Sequence, residues 1–156
     1  MKYHILSVLL FALVLSACGS VSTSISPTKA TEPASTEPIE AGTVEDQASL
    51  VTALQVSGVT VETGESVTQP FFSPEGSIIK VNGADVQVFE YESAEAMENE
   101  ASQVAPDGGS IGTSMVSWMD TPHFYKAGRI LALYVGSDQT IMDLLENVMG
   151  PQFAGQ

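Results

Sequence analysis

Apolar and polar residues alternate most clearly between Gly76 and Tyr91, on either side of Asn82-Gly83. An Asn-Gly pair between alternating runs is the strongest short-range hairpin signal, because a type I′ turn needs positive φ at both central positions. It predicts Val81 opposite Ala84, Lys80 opposite Asp85, Ile79 opposite Val86 and Ile78 opposite Gln87. One face then collects Ile79, Val81, Ala84, Val86 and Val88. The other carries Lys80 against Asp85, a pair that fixes register. His123 to Lys126 and Arg129 to Val135 predict a second hairpin around Ala127-Gly128. Val59-Thr60-Val61-Glu62 predicts a short β-branched strand, followed by a polar loop over Thr63–Thr68. Met115 to Met119 predicts another strand. Pro70-Phe71-Phe72-Ser73-Pro74 reads as an edge or irregular segment, because proline cannot donate to a ladder; its two phenylalanines read as core plugs.

Helical spacing appears in three places. Thr43 as N-cap, with Glu45 and Asp46 in the first turn, precedes Leu50, Val51 and Leu54, and Gly58 supplies a stop; this predicts a helix over 44–57. Ser93 caps a second helix over about 93–104, with Ala94, Met97, Ala101 and Val104 facing inward. Ser137 caps a third, with Ile141, Leu144, Leu145, Val148 and Met149 as its buried face and Gly150-Pro151 as its stop. A shift of 45 residues overlays Gly83 on Gly128, Val86 on Leu131, Val88 on Leu133, Phe89 on Tyr134 and Met97 on Met142. The expected fold is α+β: one antiparallel sheet with about three helices on one face, with an internal duplication of a strand-turn-strand-helix unit over Gly76–Val104 and His123–Met149.

Upstream of Thr43 the pattern changes. Gly19 to Gly42 is Ser, Thr, Pro, Glu and Ala, with only Val21, Ile25 and Ile39 large and apolar. Such a segment cannot bury enough surface to offset its ordering entropy and is expected to be a disordered linker. As a coil it spans about 27 Å on average. Ahead of it, Lys2 precedes an apolar run from Ile5 to Leu15. That run is too short to span a bilayer core, which takes about 20 residues. It ends in Leu15-Ser16-Ala17-Cys18. The order of charge, apolar run and Leu-Ser-Ala-Cys resembles bacterial lipoprotein signals. The resemblance implies removal of residues 1–17, diacylglyceryl transfer to the Cys18 sulfur and acylation of the new amine. It places the mature protein at the bacterial cell membrane, lipid-anchored and facing the extracytoplasmic side. Two or three acyl chains anchor stably where one does not.

Charge and cysteine count then exclude function classes. Cys18 is the only cysteine, so lipidation leaves no thiol for a disulfide, a metal site or a nucleophile. The mature chain would set 19 acidic residues against Lys29, Lys80, Lys126 and Arg129. A field of that sign repels nucleic acid. No cofactor motif occurs: there is no Gly-x-Ser-x-Gly elbow, phosphate loop or His-Glu-x-x-His. A hydrolase would have to use His123, with Asp120 three residues before it. Met115, Met119 and His123 are spaced by four and on a helix would form a soft-metal face suited to Cu(I). Ser117, Trp118 and Pro122 argue instead for strand and turn, which makes the two methionines core residues. Glu90/Glu92 and Glu98/Glu100 lack the dense spacing of a calcium loop. Trp118, His123, Tyr125 and Arg129 fall within twelve residues and form the candidate site for a carboxylate or a protein partner; a cation–π contact or a surface salt bridge of Arg129 is the plainer reading and the favoured one.

Three stretches, Glu65 to Phe72, Val81 to Tyr91, and Pro122-His123-Phe124-Tyr125 through Gly128-Arg129, closed by Gly150-Pro151-Gln152-Phe153, resemble small uncharacterised bacterial lipoproteins. That resemblance implies a recurring module behind a lipobox and brings no activity with it. The sequence therefore points to a non-enzymatic, membrane-anchored extracytoplasmic module that binds a protein or small ligand.

Overall fold

In the computed structural model, which describes residues 43–156, Asn82 and Gly83 both take positive φ, at 51° and 88°. The turn joins β2 (Gly76–Val81) to β3 (Ala84–Glu90) in the expected register: Val81 faces Ala84, Lys80 faces Asp85, Ile79 faces Val86 and Ile78 faces Gln87. Lys80 Nζ lies 2.5 Å from the Asp85 carboxylate. The second hairpin pairs β6 (Pro122–Ala127) with β7 (Ile130–Val135), and its turn is Gly128-Arg129, one residue later than expected. β3 and β7 lie side by side at the centre of a six-stranded antiparallel sheet. Its order is β1 (Val61–Val67), β2, β3, β7, β6 and β8 (Ala154–Gly155). A separate two-stranded ribbon joins β4 (Ser110–Ile111) to β5 (Ser114–Met115).

The three helices do not share one face. α1 (Gln47–Val56) and α3 (Gln139–Met149) cover one side of the sheet, where Leu50, Leu54, Ile141 and Leu145 pack on Ile79, Val81, Val86, Val88, Tyr125, Ile130 and Ala132. α2 (Ala94–Ala101) lies on the opposite side, where Met97 and Ala101 join Phe72, Phe89, Phe124, Leu131 and Leu133. The reason is in the central strands. Ile130, Leu131, Ala132, Leu133 and Tyr134 are all buried, as are Phe124 and Tyr125, so both faces of the sheet need cover. The shift of 45 residues is odd, and a strand turns its side chains with period 2. It therefore matches Val86 and Val88 on the first face with Leu131 and Leu133 on the second.

Local chemistry moves the helix starts. Asp46, not Thr43, caps α1: its carboxylate accepts from Ser49 N–H at 2.9 Å, and Ser49 Oγ accepts in return from Asp46 N–H at 2.9 Å, a reciprocal pair that satisfies two donors at the helix start. The Ser49 N–H and the Ser49 hydroxyl, both donating to the Asp46 carboxylate, hold it below its usual pKa. Asp138, not Ser137, caps α3 through Thr140 N–H. Ser93 caps α2 as expected. β1 starts later than expected and runs through Glu62-Thr63-Gly64-Glu65, a stretch that reads as polar loop. On an edge strand the ladder with β2 fixes the backbone while the side chains stay in water. An irregularity between Thr63 and Ser66, with Glu62 and Glu65, blunts that edge against further pairing.

Candidate functional site

The four residues of the Trp118–Arg129 cluster are set to separate tasks. Trp118 is half-buried on the α2 side, edge-on to Phe71 and Phe124 at 6.0 and 5.8 Å, and its indole N–H donates to the Gly108 carbonyl at 2.7 Å. His123 is buried and stacks on Tyr134. Its Nε2 meets the Gly136 carbonyl at 3.0 Å and its Nδ1 meets the Gln152 side-chain amide at 2.8 Å. Both ring nitrogens are thereby engaged in holding the tail against β6 and the end of β7, and neither faces an open surface. Tyr125 is buried under α3, on the opposite side of the sheet from Trp118. Arg129 pairs with Glu90 at 2.5 Å and Asp46 at 3.7 Å, and donates to the Tyr91 carbonyl at 3.2 Å. The structure brings no two of these side chains into a common pocket.

Two predictions arise here. The Arg129–Glu90 pair is about a third exposed, so solvent screens it, and Arg129→Ala is expected to cost about 1 kcal/mol in a urea melt. Burial pushes the Tyr125 phenol up to about 12, and Glu146 and Asp143 add to the shift. Burial, and Glu100 accepting its hydroxyl proton at 2.9 Å, raise Tyr91 as well. A raised folded pKa means that the unfolded chain gives up its proton first. Stability is then full below pH 10 and falls as pH rises from 10 to about 12. Tyr125→Phe should flatten that fall when unfolding is followed by circular dichroism against pH.

The methionines lie where core packing does not. β5 ends at Met115, and the chain then runs irregularly to Met119, so only Met115 of the expected 115–119 strand lies in a strand. Met115 and Met119 are 91% and 102% exposed, the reverse of the core role expected for them. Trp118 and Val116 turn inward in their place. With His123 buried among backbone and amide groups, the three do not converge. Among the described residues no three His, Asp or Glu side chains are grouped to hold a metal ion. Among the same residues all three cationic side chains are in ion pairs: Lys80 with Asp85, Lys126 with Glu98, and Arg129 with Glu90. No free cation remains there to receive an anionic ligand.

A different site emerges where α1 meets the end of α3. Gly128, with φ of 53°, lets the β6–β7 turn press on Glu45: a Cβ at Gly128 would lie 2.5 Å from the Glu45 carbonyl oxygen. Arg129 N–H donates to that carbonyl at 2.9 Å and Gln47 N–H donates to Glu90 at 3.1 Å. Val44 is buried beside them. This strap fixes the angle of α1, and a groove of about 570 Å³ opens between α1, the turn and the last turn of α3. Its walls are Thr43 and Val44; Ser49, Thr52, Ala53, Val56 and Ser57; Ala127 and Gly128; and Asn147, Val148 and Met149. The four α1 positions and the C-cap Ser57 follow the i, i+3, i+4, i+7, i+8 pattern of one helical face.

The lining is less polar than its residue names suggest. Ser49 Oγ is used in the cap, Thr52 Oγ donates to the Ala48 carbonyl at 2.9 Å, and Ser57 Oγ donates to the Ala53 carbonyl at 3.0 Å. Hydroxyls bonded back to their own helix present mainly carbon to the groove. Among the described residues no charged side chain lines it. Its size and character fall in the range of small-molecule sites, about 300–1,000 Å³ and mostly apolar. One signal in the sequence pointed there: Gln47–Val56 is the only one of the three helices without an Asp, Glu, Lys or Arg.

Comparison with known proteins adds no assignment. No protein-family model, curated protein or solved structure matches the chain.

Proposed function

We propose that this protein is a lipid-anchored extracytoplasmic binding module, held at a bacterial membrane by acylated Cys18 and binding its ligand in the α1–α3 groove. The anchor, the signal peptide over 1–17 and the linker over 18–42 are read from residues that lie outside those described. The single observation that carries the binding half is a groove of about 570 Å³ free of charged side chains, on a domain whose described residues hold 16 acidic side chains and three basic ones. Such a surface favours an uncharged, largely apolar ligand. It disfavours nucleic acid and other anions.

Two measurements test the two halves separately. Cys18→Ser should move the protein from the membrane fraction to the soluble fraction, and a variant that stays in the membrane contradicts the anchor. Returning the purified protein to extract of its host should add hydrogen-exchange protection to 43–57 and 127–149. Protection gained only around α2 would move the site to the other face of the sheet.

A further inference from the structure

We infer that the α1–α3 groove seats the acyl chain of an uncharged glycerolipid taken from the membrane side. This rests on the binding reading above and names its ligand class. Three observations lead to it. First, the lining offers carbon along one whole face of α1, from Ser49 to Ser57. At the rise of an α-helix that face is roughly 12 Å long. A long flexible hydrocarbon fits such a slot, and it would cover Val56, which is 53% exposed. Second, the uncommitted polar side chains of the lining are Thr43 and Asn147, which suit hydroxyls or an ester more than a charge. Third, the chain that precedes the domain joins it at Thr43, itself part of the rim. On the reading that Cys18 is acylated, that rim lies 25 residues of chain from the anchor.

Other occupants fit less well. A second copy would bring together two domains of like charge, each with 16 acidic and three basic side chains, and these repel. A basic peptide finds no carboxylate in the lining, and an acidic one meets a repelling field. The same field separates two lipids of equal chain length: a monoacylglycerol is neutral, whereas the matching fatty acid is an anion. The neutral one should bind more tightly, and added salt should narrow the gap by screening.

The test is calorimetric titration of the mature chain, residues 18–156 with Cys18→Ser, with monododecanoylglycerol below its micelle concentration. The expected result is saturable one-to-one binding, at least tenfold weaker for dodecanoate at low salt. Val56→Glu, which places a charge in the lining, should weaken binding at least tenfold. Thr52→Trp should do the same by bulk. Both sites face water on a helix, so melting curves should remain cooperative. Met119→Glu, on the distant loop, should leave binding unchanged. No saturable binding, or binding that both groove variants leave intact, overturns the proposal. If Val56→Glu instead strips a different co-purified molecule, or dissolves a dimer in sedimentation, the acyl class fails while the groove stands. If the groove variants alter neither lipid binding, co-purified mass nor association, the binding reading fails with it.

Discussion

Gly128→Ala is expected to be among the most damaging single-methyl changes in the domain, at about 2–4 kcal/mol. The new Cβ would collide with Glu45 Cα and fall 2.5 Å from its carbonyl oxygen. Those are backbone atoms, so no side chain can rotate away. The segment cannot simply retreat, because Arg129 N–H holds Glu45 and Glu90 holds the first turn of α1. For a domain of this size each kcal/mol moves the melting midpoint by several degrees, so a fall of roughly 10–20 °C is expected. Gly83→Ala is the matched control. Gly83 also has positive φ but has open space around its Cβ. Only the left-handed backbone cost applies there, about 1–2 kcal/mol. Ligand binding should vanish in Gly128→Ala and survive in Gly83→Ala, because only the first lifts α1 off the turn that floors the groove. Equal melting points for the two variants would contradict the strap.

Phe124→Ala should cost about 3–5 kcal/mol, the range for removing a fully buried aromatic ring. Phe124 has no exposed surface and sits between Trp118 at 5.8 Å and Phe153 at 6.1 Å. Its removal leaves a void under the loop that carries Trp118, on the side of the sheet away from the groove. The expected signature is a lowered denaturant midpoint together with a red shift of tryptophan emission, as the only tryptophan gains access to water. Binding in the groove should persist in the fraction that remains folded. A normal emission spectrum with a loss below about 1 kcal/mol, far under the range for such a cavity, would mean that the loop closes over the gap.

Local signals made the fold legible. The Asn82-Gly83 turn specified its hairpin to the residue, because turn geometry and the alternating apolar face demanded the same register. Ser93 was legible as a cap for the same reason of short range. What failed needed long-range information. Val86 alternates as one buried face should, but Phe89 and Leu131 on the reverse face are covered by α2, and the alternation of either hairpin alone does not say which helix covers which side. The Thr63–Ser66 stretch looks like a loop because an edge strand leaves its side chains in water. Met115 and Met119 match a core pattern, yet Trp118 between them fills that space against Phe71 and Phe124.

Residues that stand out in the sequence need not share a site, for a related reason. Aromatic and cationic residues near Arg129 attract attention as chemistry, but here they serve as fasteners: Arg129 ties α1 to β3, and His123 ties Gln152 to Gly136. The groove is built from serine, threonine, alanine and valine, which carry no chemical signature. Only the lack of charge along Gln47–Val56, in so acidic a chain, marked that helix as different.

Binding in the α1–α3 groove is open to one decisive measurement. Native mass spectrometry of the Cys18→Ser mature chain, recovered from its own host beside the Val56→Glu variant, tests it most directly. An excess mass of a small, neutral molecule is expected on the first protein and none on the second. The same excess on both, or a metal's mass on the first, would place the binding site elsewhere.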